Sequence, residues 1–292
     1  MVFKEELKQY SDLIDNELEK YIRKDKCLEQ KLNESVKYSL MAGGKRIRPT
    51  LMIATYKLFK EDYEKCFPFA VAMEMIHNFS LIHDDLPGID NDDFRHGKPT
   101  NHKRFNEATA ILAGDSLLNY AYLVISQDLK NNMTKEKIEA FYELANAVDR
   151  MIIGEYVDTE YEGKKVLEDE LEYMHKNKTG ALIRASVRIG AILANAEKED
   201  LEKLTLFAEK IGLAFQIRDD ILSEIGNEKI LGKPVGNDKK RKKCTYVSKY
   251  GLKKAEEELN KNIDEAINLI NYYENKGEFL KNIANYIKDR NK

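Results

Sequence analysis

Cysteine and proline are scarce in this 292-residue chain, with three of the first and five of the second. Cys27, Cys66 and Cys244 are odd in number and scattered without metal-ligand spacing. That pattern excludes a disulfide framework, gives no sign of zinc and fits a reducing compartment. An excess of one charge is missing as well. Lys plus Arg at 48 against Asp plus Glu at 51 leaves a formal charge of -3, so no overall basic field recruits nucleic acid and anions must be held locally. Long hydrophobic runs are also absent. The opening MVFKEELKQYSDLIDNELEKYIRK lacks the uninterrupted apolar core of a signal peptide. The most apolar later stretch, ATAILAGDSLLNYAYLVIS, is broken by Asp115, falls short of a clean membrane span and reads as a buried helix. A hydrophobic content of 42% fits a soluble globular protein, and the expected location is the cytoplasm.

Two-residue alternation of β-branched residues is almost absent, whereas apolar residues recur every three or four positions. The predicted class is all-α. Helices are expected over residues 3–24, 28–41, 48–60, 67–86, 105–127, 135–162, 168–175, 179–195, 198–225, 245–274 and 277–289. No low-complexity linker divides the chain, so one domain over residues 1–292 is expected. Pro87, Pro99 and Pro234 fall in two polar loops, PGIDNDDFRHGKPTNH and GNEKILGKPVGNDKKRKK.

Each loop follows an aspartate pair. Asp84 and Asp85 close an apolar helical stretch just before Leu86 and Pro87, and Asp219 and Asp220 precede a stop at Gly226. A carboxylate near a helix C-terminus loses roughly 0.3–1 kcal/mol against the dipole, and neighbouring carboxylates repel. A bound cation offsets both costs. Carboxylates without His or Cys partners suit a hard ion, and magnesium bridges such acids to substrate phosphates. Cations for a phosphate are at hand: Lys45, Arg46 and Arg48 follow a Gly-Gly break, and the loops add Arg95, Lys233 and residues 239–243. Two acid pairs and these cations point to a clamp on diphosphate.

DDLPGIDNDDFRHGKPT resembles the first aspartate-rich motif of the trans-polyprenyl diphosphate synthases, and FQIRDDILSEIG followed by LGKPVGND resembles the second. GGKRIRP is similar to their N-terminal diphosphate-binding motif and HKNKTGALIRAS to the segment between, in order from about residue 38 onward. The resemblance implies a helical bundle around a deep central cavity, usually as a homodimer. It implies allylic diphosphate bound through magnesium to Asp84, Asp85, Asp90 and Asp219, with Asp220 and Asp238 in support, and to Arg95, Lys178 and Lys233. It further implies isopentenyl diphosphate on Lys45, Arg48, His77 and His96, with Thr179 and Gln216 at the reacting end and Lys243 near a closing loop. The implied chemistry is ionisation of the allylic carbon–oxygen bond, attack by the isopentenyl double bond and loss of a proton to the departing diphosphate. Phe79, five residues before Asp84 and about 7.5 Å down a helix, stands with Ser80 where bulk would stop an elongating tail. That arrangement, with the Pro-Gly widening of the first motif, resembles bacterial farnesyl diphosphate synthases.

Three positions depart from the family pattern: His96 for an arginine, Glu155 in GEYVD for a glutamine, and Ser223 for the last acid of the second motif. The first suggests pH-dependent isopentenyl binding, since free histidine titrates near pH 6.5; the third, a loosened magnesium. His83 reads either as a neighbour supporting the acid pair or as a satisfied helix-end histidine, and His102 and His175 read as structural or exposed. The basic tail IKDRNK resembles a segment that covers the isopentenyl site, against a frayed terminus. Three alternatives stay open: a geranylgeranyl diphosphate synthase, a terpene cyclase and a non-catalytic partner subunit.

Overall fold

A computed structural model describes residues 3–23, 28–225 and 243–290. The helices are α1 Phe3–Tyr21, α2 Gln30–Leu40, α3 Ile47–Tyr56, α4 Phe67–Asp84, α5 Asn101–Arg104, α6 Glu107–Asn131, α7 Lys135–Glu160, α8 Glu168–His175, α9 Ala181–Leu193, α10 Lys198–Ile225, α11 Tyr246–Tyr250, α12 Leu252–Ile270 and α13 Glu278–Asp289. Two-residue strands β1 (Phe94–Arg95) and β2 (Lys98–Pro99) form an antiparallel hairpin between α4 and α5. The all-α expectation holds.

Local chemistry explains the main boundaries. Asn106 caps α6 by accepting from Thr109 N at 2.8 Å, and Thr134 caps α7 by accepting from Lys137 N at 3.3 Å. Helix α4 carries Pro68 in its first turn and stops just before Pro87, its last hydrogen bonds closing at Asp85 and Leu86. The helix expected over residues 245–274 is instead two, because the chain turns at Gly251 with φ +82. The hairpin escaped the sequence reading. Its turn residues His96 (φ 52) and Gly97 (φ 73) both have positive φ, the signature of a tight two-residue connection.

One apolar core runs from Leu7 in α1 to Ile287 in α13. Helix α4 is buried almost all round, packed against α6 on one side and α3 on another; α3 and α7 pack on α9, and α10 on α9 and α12. Helix α6 corrects an expectation. Only 39% of its most apolar window is buried, and Ile111, Leu112 and Leu123 lie exposed.

Candidate active site

The helices and the loops that follow them surround a cavity of about 1140 Å³. Its walls bring together residues from α3 to α13. Asp84 is the last residue of α4, and the loop beyond folds back so that Asp90 N–H donates to the Asp84 carbonyl at 2.7 Å, setting the third acid of the motif beside the first. Both line the cavity. Burial, then the negative charge of Glu155, pushes the Asp84 carboxyl up to about 7. A carboxylate in such a negative, desolvated corner fits a cation.

Asp85 has a different position. Both of its oxygens face Arg95, whose Nε lies 2.9 Å from each and whose Nη2 lies 2.6 Å from Oδ1. The hairpin thus delivers Arg95 to the cavity wall already oriented by Asp85. His96, at the hairpin tip, also lines the cavity. Burial, then Arg95, lowers its pKa, so the imidazole is neutral near pH 7 rather than titrating there.

Opposite charges meet on α7. Gly154 lets the single π-helical turn Lys176–Gly180 approach so closely that a Cβ there would fall 2.2 Å from Lys178 N. The Lys178 ammonium consequently sits among Glu155 Oε2 at 2.8 Å, Glu155 Oε1 at 3.0 Å and Asp158 Oδ2 at 2.6 Å. Lys243 reaches the same Asp158 oxygen at 3.1 Å and Asp90 at 2.9 Å. Burial alone would raise the Asp158 carboxyl, but the two lysines outweigh it and hold it at about 2. Asp158 was missed in the sequence, although its place three residues after Glu155 puts both on one helical face.

A second cationic group lies nearby. Arg48 Nη1 donates to His77 Nε2 at 3.2 Å, and burial followed by Arg48 drives the His77 pKa well down, leaving a neutral acceptor. Arg48 Nε and Arg290 Nε are buried without a hydrogen-bond partner among the described residues, and both side chains line the cavity with Lys45. Arg46, grouped with them by sequence, is diverted. Its nitrogens hold Asp15 Oδ1 at 2.8 Å, Glu74 Oε1 at 2.6 Å and the Leu40 carbonyl at 2.7 Å, so it braces α1, α2 and α4.

On α10, Asp219 lines the cavity and pairs with Arg290. The tail is anchored, not frayed at this residue: Arg290 stacks 3.8 Å over Phe215, and its carbonyl accepts from Arg218 at 2.7 and 2.9 Å. Asp220 is held by Gln216 Nε2 at 2.8 Å and Tyr246 N at 2.7 Å, and Gln216 accepts from Thr179 Oγ1 at 2.6 Å. Ser223 lines the cavity while Glu224 is exposed. His102 and His175 are both buried, and burial lowers His175 to about 4. His83 turns away from the acids to the Ile111 carbonyl at 3.0 Å. Lys233 and Asp238 lie outside the described residues.

Phe79, Met151 and Leu182 give the same cavity an apolar portion, with Ser80 beside them. Acids on two helices, two cationic groups and an apolar end in one chamber define a class, helical enzymes that act on diphosphate esters with hydrocarbon tails. The profile of the polyprenyl synthetase family matches residues 29–287. Farnesyl diphosphate synthase of Micrococcus luteus is 40% identical over the whole of both chains. Geranylgeranyl diphosphate synthase of Cyanophora paradoxa is 43% identical over 88% of this chain and 87% of its own. A geranyltransferase structure from Helicobacter pylori, solved with magnesium and isoprenyl diphosphate, superposes with a TM-score of 0.81 at 27% identity, covering 95% of this chain and 96% of that one. The chain belongs to the polyprenyl synthetase family. It is a short-chain prenyltransferase similar to the farnesyl diphosphate synthases.

Proposed function

We propose that the enzyme joins isopentenyl diphosphate to dimethylallyl and geranyl diphosphates and stops mainly at farnesyl diphosphate. The observation that carries this reading is the single cavity in which Asp84, Asp90 and Asp219 accompany Lys178 and Lys243, with Arg48, Lys45 and His77 as a second group and Phe79 in the apolar part. Magnesium suits the all-oxygen donors Asp84, Asp90 and Asp219. When bound it supplies positive charge against the diphosphate. Asp85 serves by orienting Arg95.

Arg95, Lys178 and Lys243 donate to the allylic diphosphate oxygens as negative charge grows on them, favouring cleavage of the carbon–oxygen bond. Lys45, Arg48 and His96 hold the isopentenyl diphosphate. His77, neutral and accepting, orients Arg48. Thr179 and Gln216, locked to each other, shape the wall beside the reacting carbons, and the departing diphosphate takes the proton. Lys233 is assigned to the allylic diphosphate by resemblance. The exposed apolar residues Leu112 and Leu123 on α6 with Tyr142, Ile152 and Tyr156 on α7 support a homodimer, and the cytoplasm is its proposed compartment.

The test incubates purified protein with magnesium, isopentenyl diphosphate and, separately, dimethylallyl, geranyl or farnesyl diphosphate, and identifies the products. A fifteen-carbon main product is expected; no condensation with any primer overturns the reading. A twenty-carbon main product, the second reading favoured by the similarity to the Cyanophora enzyme, overturns the farnesyl assignment alone.

A further inference from the structure

We propose that His83 is a positioning residue for product length, holding the Phe79 ring across the cavity from a seat that only glycine at position 114 leaves open. The inference rests on the reading of Phe79 as the floor. The two residues are four apart on α4 and share a face. Their rings meet edge to face, with centroids 4.9 Å apart and planes at 76°, the arrangement that aromatic quadrupoles favour.

His83 is fixed from the opposite side by α6. Its Nε2 lies 3.0 Å from the Ile111 carbonyl, an acceptor only, so this nitrogen carries the proton and donates. The Asp115 carboxylate stands 3.9 Å from the same nitrogen. Beneath the ring is Gly114, where a Cβ would fall 2.2 Å from Nε2 and 2.4 Å from Cδ2. Both contacts are with a ring held on two sides, so a methyl at position 114 must displace it. Phe79, Ser80 and His83 line one cavity. The His83 ring packs against the Phe79 ring on the side nearer the acid pair, so Phe79 can rotate toward that side only if His83 moves. The histidine thus decides how far the floor yields, without itself touching the diphosphate groups.

Products are compared for the unmodified enzyme and for Phe79→Ala, His83→Ala, His83→Gln, His83→Phe, Gly114→Ala and the double variant His83→Ala/Gly114→Ala, each shown folded by circular dichroism. The readout is the ratio of twenty- to fifteen-carbon product from geranyl diphosphate and excess isopentenyl diphosphate. His83→Ala and His83→Gln are expected to raise the ratio several-fold, whereas His83→Phe, which restores a ring, keeps it low. Gly114→Ala is expected to change the ratio alone but not in the His83→Ala background, where its clash is gone. An unchanged ratio in His83→Gln while Phe79→Ala raises it overturns the proposal and leaves the floor reading standing. An unchanged ratio in Phe79→Ala overturns both. If His83→Ala fails to fold, the Gln and Phe variants decide: rescue by Gln rather than Phe means the bond to Ile111 matters only for stability, and the proposal falls.

Discussion

Replacing Arg46 by alanine is expected to lower thermal stability strongly while leaving isopentenyl diphosphate binding intact in the folded protein. The side chain is 1% exposed and its partner Glu74 only 3%, so the substitution strands a carboxylate in the core. Deleting one member of a buried ion pair costs about 3–5 kcal/mol. Asp15, at 37% exposed, is screened by water and adds only about 0.2–1 kcal/mol. Asn78 Nδ2 lies 3.4 Å from the same Glu74 oxygen, too far to replace the guanidinium. At about 2–3 °C per kcal/mol for a chain of this size, the melting temperature should fall by roughly 6–15 °C. Arg46→Lys should recover only part of this, since one ammonium cannot reach three acceptors arranged around a fork. The assay pairs a thermal melt by circular dichroism with KM for isopentenyl diphosphate at a temperature where both proteins are folded. A melting temperature within about 2 °C of the unmodified enzyme, together with a raised KM, would refute the reasoning and return Arg46 to the ligand contacts.

Asp158→Asn should cost about 3 kcal/mol at pH 6, from a carboxyl near 2 when folded against about 4 unfolded. Because the folded value is depressed, that stability is present above pH about 4 and lost as pH falls toward 2, so denaturation curves of the two proteins should converge in acid; a gap constant with pH contradicts this. Since burial and Arg95 keep His96 neutral, KM for isopentenyl diphosphate should show no titration of this group near neutral pH, and His96→Arg should lower it; a pH-dependent KM that His96→Gln abolishes would argue otherwise. Glu155→Gln removes a charge that engages Lys178 with both oxygens and should lower KM for the allylic diphosphate; a raised KM with unchanged kcat would show that Glu155 assists binding. Ser223→Asp should reduce the magnesium needed for half-maximal activity, and an unchanged requirement would remove position 223 from the metal site.

Much of this architecture is readable along the chain. The three- and four-residue apolar period of α4 and α10 and the stop before Pro87 are signals carried within a few residues, so helix positions and the approximate places of the acids follow from them. The hairpin was missed because its strands are two residues long and its turn depends on a non-glycine residue, His96, in a positive-φ conformation. The long helix at 245–274 was overextended because the apolar period runs through Gly251 and conceals the break.

Sequence by itself determined the helical class, the motifs that resemble the family's and many of the charged residues that line the cavity, because periodicity and motif spacing are local. Only the tertiary structure decided which like residues do which work. Arg46 and Arg48 stand two apart in GGKRIRP, yet one is committed to Asp15 and Glu74 and the other to His77 in the cavity. Asp84 and Asp85 are neighbours, yet Asp85 is taken by Arg95 ten residues on. A charged side chain's contacts are set by the partner it meets when buried, and those partners arrive from other elements, ten to about thirty residues away here, brought there by packing that no local pattern encodes.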